Sequence, residues 1–527
     1  MKKYIISKCK KWLLCMAVAT GLSFSSCNDL LDNDNKYYHV ATQEQQWNSL
    51  SDARSALFGI YGMMRTALGE NNTYWAAGDL RMGDFTVRSR EDLQAIRDNR
   101  LTASYPKIQQ IANWNRFYRV INAAAVFIEN VGNVKEKDRA YSETNYRYDV
   151  AQAKALRALA YFYMVQIWGD VPLITYSYDN GTFPAVSRTD AGEVLNYAKG
   201  ELLAASTQLP DLLGSSSDKY YGGDSNTWKG WLFNRFSCYA ILAHIAAWEG
   251  NYVDVESYAG YIINNAATIN AVPVTTANLV SATGIFSREY GNDYKAARLV
   301  AFGYEYDGTS VNEPTVDGHL EAWTLAEPVI RKSLPDIYVS KDSLFSIFMK
   351  TTTSDARFGI DQSLNPVRYY TNYVSGFNQS IPVFSKIKVV REGKDETNDL
   401  GMFGSFIILS RVEDIVLLQA EALCMLNRND DAVTMLNGVR ALRNLSPLSY
   451  SKDLNNTPKA LLKEIFEERR RELMGEGHHW FDQIRRAKLL GDNPEMVELV
   501  NANGIYWPVA NEVLNVNPNI GQTEYWK

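Results

Sequence analysis

The chain has 527 residues, 54 Lys and Arg against 60 Asp and Glu, and a formal net charge of −6. That length buries a core without disulfides or metals, and the acidic balance excludes nucleic acid or an anionic lipid surface as main partner. Aromatics make up 12%, with 32 Tyr and 12 Trp, and amphipathic rings not needed in a core often form ligand-contact surfaces.

The first residues read as a targeting segment. Lys2, Lys3, Lys8, Lys10 and Lys11 stand among residues 1–26 with no acid, and Trp12 to Leu22 is an apolar run too short to span a bilayer as a helix. Ser25-Ser26-Cys27 follows. Small residues and then a cysteine suit lipoprotein processing, in which the Cys27 thiol takes a diacylglycerol, although Phe24 stands where leucine is commonest. The plainer alternative is a secreted protein with an incidental thiol. More than one acyl chain on Cys27 makes membrane attachment effectively permanent. Loss of residues 1–26 removes five lysines and takes the net charge from −6 to −11. Residues 27–48, with Asp29, Asp32 and Asp34, read as a polar tether. Cys238 and Cys424 sit in apolar helical patterns and read as small buried hydrophobes rather than a bridge. Two cysteines define no metal site.

From about Ser49 the pattern is helical. Ala53, Leu57, Ile60, Tyr61 and Met64 share one face. Tyr74 to Phe85, with Trp75, Asp79, Arg81 and Asp84, has neither helical nor strand period and reads as loop. Helices are predicted over Ile111–Ile128, Val150–Trp168 and Ala191–Thr207; the second is apolar over most of its circumference and should be central. The Gly- and Ser-rich run Gly214–Asn226 reads as an exposed loop. Trp228–Gly250 and Val253–Asn265 form a helical hairpin of tetratricopeptide type, with Ala240, Ala243, Ala246 and Ala247 allowing close approach. A second copy spans Val412–Arg443, too far along to be in tandem. Between them, residues 275–406 show weak helical pattern and many Gly, Pro, Asn and Tyr residues, suggesting loops and short strands. The fold class is thus mainly α: a scaffold of tetratricopeptide-like hairpins with a large loop-rich insertion, flanked by helical regions 49–274 and 407–527.

The densest cluster of charge, glycine and aromatics is Glu468-Arg469-Arg470-Arg471-Glu472-Leu473-Met474-Gly475-Glu476-Gly477-His478-His479-Trp480-Phe481-Asp482. Lys463–Met474 reads as one helix, the glycines break it, and Trp480, Phe481 and Ile484 begin another. Three arginines beside two histidines invite an anion or nucleotide site. The plainer reading has Glu467, Glu468 and Glu472 pairing with arginines three and four positions away, with the aromatics locking the hinge to the core.

With Ser25-Ser26-Cys27, Ala153–Ile174, Trp228-Lys229-Gly230, Arg411–Arg440 and the closing Trp507-Pro508 and Asn517-Pro518-Asn519, this cluster resembles the SusD/RagB family of outer-membrane nutrient-binding lipoproteins. The likeness runs nearly the whole length, and the E-R-R-R-E-L … E-G-H … W-F-D pattern carries most of it. The resemblance implies a lipid-anchored, surface-facing protein of the outer membrane that caps a SusC-like TonB-dependent transporter. It implies capture of oligosaccharides or, in some members, peptides, with no catalysis and no cofactor. A structural or adhesion module on helical repeats is the remaining alternative, and it leaves the aromatic insertion unexplained.

No G-x-S-x-G, H-E-x-x-H, P-loop or dinucleotide fingerprint is present. Asp79 and Asp84 are the one pair to weigh as glycosidase acid and base, which requires a separation of about 5 to 9.5 Å. Family ligand residues tend to come from the first loop and the insertion, so the expected contacts are Trp75, Asp79, Arg81 and Asp84 with Tyr304, Trp323 and Tyr373. Arg81, if not neutralised by its two aspartates, suits an acidic sugar or a peptide terminus.

Overall fold

In a computed structural model of the chain, the residues described are 46–178, 185–289, 295–303, 317–348, 354–361, 363, 365–367, 371–391 and 402–527. Cys27, and with it the targeting segment, lies outside them, as does Tyr304.

The scaffold is helical, as expected. Its longer helices are α1 (Leu50–Gly69), α2 (Asn115–Asn130), α3 (Glu143–Trp168), α4 (Ala191–Gln208), α5 (Arg235–Glu249), α6 (Tyr252–Asn265), α7 (Val412–Met425), α8 (Asn429–Leu442), α9 (Pro458–Glu472) and α10 (His479–Leu490). Local chemistry sets their ends. Ser49 and Asp52 close a capping box at the start of α1, and Asn234 and Ser237 do the same for α5, satisfying N–H groups that a helix start leaves unpaired. Gly250, at φ 79°, ends α5 in the left-handed region and Asn251 caps α6 at once.

α3 is the centre of the N-terminal half. From Ala151 to Trp168 only Lys154 lies outside the buried class, and α1, α2 and α4 all pack against it. It begins at Glu143, seven residues before the predicted start, because the Ser142 hydroxyl accepts from Asn145 N–H. The helix predicted over 111–128 is broken at Asn113. There the Arg116 guanidinium turns back to donate to the carbonyls of Gln110 (2.8 Å) and Ile111 (3.1 Å), closing the short helix Pro106–Ala112. The helix predicted from Trp228 begins only at Arg235, since Asn234 is its cap.

The two tetratricopeptide-like hairpins, α5–α6 and α7–α8, are distant in sequence but adjacent in space, with α6 lying on α7. Strand β1 (Arg298–Phe302) pairs antiparallel with β2 (Ile407–Arg411), Arg298 opposite Arg411 and Phe302 opposite Ile407. Residues 303–406 therefore leave and re-enter the scaffold through one buried two-stranded ribbon that runs directly into α7. Cys238 and Cys424 are buried free thiols. No helix among the described residues is long and apolar enough to cross a membrane.

Candidate functional site

The residues expected to contact ligand are, where described, inside the protein. Tyr74–Phe85 is not loop but two short helical turns, Thr73–Ala76 and Asp79–Met82, too brief to show a period. Trp75 is 0% exposed, with its ring edge-on to Phe85 (5.0 Å) and Trp323 (6.3 Å). The first segment and the insertion thus meet as anticipated, but in the core. Trp323 and Tyr373 are 5% and 0% exposed; Tyr373 donates its hydroxyl proton to the carbonyl of Glu472 at 3.3 Å. None of these rings offers a face to a sugar.

Asp79 and Asp84 are committed to the hairpin of α9 and α10, and Arg81 to Asn99, the Trp480 ring and the backbone at 504–505. Asp79 accepts from the N–H groups of Gly477 (3.1 Å) and Trp480 (3.3 Å), and burial pushes its carboxyl up to about 7. Arg81 donates to the carbonyls of Ile505 (2.8 Å) and Gly504 (2.9 Å) and to Asn99, and lies 3.8 Å over the Trp480 ring. It is neither paired with Asp79 or Asp84 nor available to an acidic sugar. Burial would raise the Asp84 carboxyl, but His479 (2.9 Å) and Arg470 hold it well below the usual carboxylate range. The pair weighed as glycosidase acid and base is therefore buried and spoken for.

The arginine-rich hairpin is a buried charge network, with most partners far away in sequence. Arg469 bridges Asp482 (2.8 Å) and Asp414 (2.9 Å). The expected local pairs Arg471–Glu468 (2.9 Å) and Arg470–Glu467 (3.8 Å) form, and Arg471 also reaches Glu464, seven residues back, at 2.7 Å. Glu472 instead receives Arg443 (2.7 Å), Arg411 (2.9 Å) and Arg357 (3.2 Å), and Glu476 receives Arg411 and Lys386. Glu468, Arg469, Glu472, Arg357, Arg411 and Arg443 are all 0% exposed. Beside this network, His244, bonded to Asp414 at 2.8 Å, stacks on His478 and lines a void of about 40 Å³, which has no room for a sugar.

A larger opening lies elsewhere. The outward face of α1, the segment Asp224–Leu232 and the ends of β1 enclose an open cleft of about 890 Å³. Three half-buried rings line it: Phe58, Trp228 and Trp231. Phe58 and Trp228 lie 5.8 Å apart, and Trp231 rests edge-on against Phe406 at 4.7 Å. The wall is fixed from behind. Trp228 Nε1 donates to the Tyr220 carbonyl (2.8 Å), and the Tyr220 and Tyr221 hydroxyls, with that of Tyr141, donate to the buried carboxylate of Asp149. Tyr61, on the cleft floor, donates to Gln152 (2.9 Å) and accepts from Phe233 N–H (2.8 Å). Burial pushes the Asp149 carboxyl up to about 6, against the pull of its three tyrosines.

Among the described residues the charged side chains of the lining are Arg54, Arg65, Arg288, Lys295 and Asp224. The Asp224 carboxylate accepts from the N–H groups of Asn226 (3.0 Å) and Thr227 (3.3 Å). Sequence reasoning named none of these cleft residues as candidate contacts. The available signal was Arg54 and Phe58, four apart on the side of α1 away from its apolar stripe, and a Trp-x-x-Trp spacing just after a Gly/Ser-rich loop. Among the described residues, no group of three His, Cys, Asp or Glu side chains is placed to hold a metal ion.

Comparison with known proteins fits this architecture. A crystal structure described as a SusD superfamily protein from Bacteroides thetaiotaomicron VPI-5482 is 50% identical, covering 92% of this chain and 100% of that one, with a TM-score of 0.83. The chain belongs to the SusD superfamily. Residues 368–526 match the model described as SusD family, and residues 37–221 match one described as "Starch-binding associating with outer membrane". SusD-like protein P38 of Formosa agariphila is 25% identical over 94% of this chain and 95% of its own length. A second crystal structure, a SusD homolog from the same Bacteroides, shares the fold at 23% identity and a TM-score of 0.72, over 91% of this chain and 99% of that one. The fingerprint that marks the superfamily here is the buried network, which builds the scaffold.

Proposed function

We propose that this protein is a glycan-binding lipoprotein of the outer membrane. It is anchored through Cys27 after loss of residues 1–26, faces the cell surface, and hands oligosaccharides to a SusC-like TonB-dependent transporter. Membership of the SusD superfamily supports the transport setting, as does the outer-membrane description of the model matching residues 37–221. One observation carries the placement of the site: the 890 Å³ cleft lined by Phe58, Trp228 and Trp231. The C–H face of a pyranose is apolar, and hiding about 60 Å² of it on a ring contributes about 1.5 kcal/mol at roughly 25 cal/mol/Å². Two or three such contacts with hydrogen bonds, less the cost of association, correspond to micromolar to millimolar affinity, which suits a protein that passes its cargo on. Tyr304, which directly follows the cleft residue Gly303, is retained as a proposed contact; Trp75, Asp79, Arg81, Asp84, Trp323 and Tyr373 are not. The protein acts by binding rather than by catalysis.

The test is calorimetric titration of the mature protein with oligosaccharides, with tryptic peptides as controls. Trp228→Ala and Trp231→Ala should each weaken glycan affinity about tenfold, corresponding to one stacked ring, in protein that stays folded and releases no reducing ends. Full glycan affinity in both variants would remove the cleft from the proposal.

A further inference from the structure

Behind the cleft wall stands a buried carboxylate whose described partners are all donors. Asp149, on α3, is 0% exposed. Its Oδ1 accepts from Tyr220, and its Oδ2 from Tyr221 (2.6 Å) and Tyr141 (2.7 Å). Gln152 Nε2 donates to the Tyr220 hydroxyl at 2.9 Å, while Gln152 Oε1 is taken by Tyr61. Tyr220 thus accepts on one side and donates on the other. The titratable and charged groups around the carboxylate are these three tyrosines, Tyr61 beyond Gln152, Tyr146 beside Tyr141, Tyr148 beside Tyr220, and the exposed Arg54, whose guanidinium lies 5.9 Å from the centre of the Tyr221 ring. An ionised carboxylate has lone pairs for all three hydroxyls, whereas the neutral acid has a proton of its own to place. One tyrosine must then turn from donor to acceptor, and the hub cannot keep all its bonds. Burial pushes the carboxyl up to about 6, so the change falls just below neutral pH.

Two of these tyrosines build the wall. Tyr220 and Gly223 exchange backbone hydrogen bonds across a tight turn, and Tyr221 sits in it at φ 47°. That left-handed conformation is unusual for a bulky side chain and persists only where the surroundings hold it. Trp228 donates from Nε1 to the Tyr220 carbonyl (2.8 Å) and lies so close to the turn that a Cβ at Gly223 would stand 2.7 Å from that nitrogen. Tyr221 meets the Phe58 ring edge-on at 6.1 Å, and Phe58 lies 5.8 Å from Trp228. Two of the three cleft rings therefore rest on side chains that end at one carboxylate.

We propose that Asp149 is a positioning residue of the glycan site: its ionised carboxylate, acting through Tyr220 and Tyr221, sets the face that Phe58 and Trp228 offer to a sugar ring, and glycan affinity follows that ionisation. The assignment rests on the cleft being the glycan site. Binding that needs the ionised form is complete above the folded pKa and is lost as pH falls through it. The fold has the opposite preference, since burial favours the neutral acid, so a merely structural role would not give this profile. Two readouts on the mature protein test it. Without ligand, acrylamide quenching of Trp228, taken as wild type minus Trp228→Phe, should rise as pH falls from about 7.5 to about 5. Asp149→Asn should show the acid-side level throughout, because its amide also carries protons to place. With ligand, calorimetry uses neutral gluco- and xylo-hexasaccharides, which carry no titrating group. Their affinity should fall at least about threefold over the same range, and Asp149→Asn should remove that dependence. Tyr221→Phe, which keeps the carboxylate, should weaken binding at neutral pH. Trp228-dependent affinity that ignores pH, or Tyr221→Phe binding as tightly as wild type, would overturn the assignment and leave the glycan site standing. No pH step in quenching would overturn the positioning role whatever is bound. A step in quenching with hexasaccharide binding indifferent to Trp228→Ala would overturn the cleft as the site, and the assignment with it.

Discussion

Replacing Glu472 by Gln tests whether the arginine-rich hairpin is structural. The substitution keeps the shape but leaves Arg443, Arg411 and Arg357, at 2.7, 2.9 and 3.2 Å, facing a neutral amide in a site with 0% exposure. Removing one partner of a buried ion pair costs about 3–5 kcal/mol, because the charges left behind stay desolvated. Unfolding entropy of about 2.1 cal/mol/K per residue gives roughly 1 kcal/mol/K for a chain of this size, so the melting temperature should fall by about 3–5 °C. The pH dependence has a definite sign. Burial acts to raise the Glu472 carboxyl, but the arginines outweigh it and hold it well below its ordinary value. Its contribution is therefore complete above the unfolded carboxylate range and is lost as pH falls through the folded value. The gap between wild type and variant, read by scanning calorimetry at neutral pH, should narrow on acidification. Glycan affinity should not change, because Glu472 lines no part of the cleft. A melting shift under about 1 °C at neutral pH would refute the reasoning.

Two further outcomes test how the cleft is held. A Cβ at Gly303 would stand 2.4 Å from Trp231 Cζ3 and 2.7 Å from the Phe406 ring, so Gly303→Ala should displace the Trp231 indole and weaken glycan binding at least about threefold, measured by titration. Asp149→Asn probes the tyrosine hub. With its carboxyl raised to about 6, Asp149 contributes stability that is full below its unfolded pKa and declines as pH rises through 6. The wild type should therefore lose its advantage over the Asn variant between pH 4 and 7, by up to about 3 kcal/mol for a shift of roughly two units, followed by denaturant titration at each pH.

Much of the scaffold was legible in the sequence because its signals are local. Ser49 and Asn251 each stand one residue before a helix that they cap, and the alanines of α5 mark the hairpin, although the Asn234 cap at its start was read through. The all-round apolar character of α3 announced its central place. The site was less legible, for a physical reason. A tryptophan is equally suited to a core and to a sugar, and only three-dimensional packing tells Trp75, enclosed by Phe85 and Trp323, from Trp228, which is left half-open. Charge misled in the same way. Arg81 stands beside two aspartates in the sequence, but its short helical turn directs it to the carbonyls of residues 504 and 505. Helical spacing found the pair Arg471–Glu468, yet no local rule joins Glu472 to Arg357.

The long reach of these contacts also governs how the protein comes into being. Arg470 bonds Asp84 across 386 residues, and the Trp507 indole donates to the Ala77 carbonyl across 430. The polar groups of the first helical turns thus find their partners only when the last sixty or so residues (on the order of a tenth of the chain) are present, and such non-local closure slows folding. Without residues 470–507 the Asp84 carboxylate lacks Arg470 and the Ala77 carbonyl lacks the Trp507 indole, so the N-terminal half cannot complete its own polar contacts.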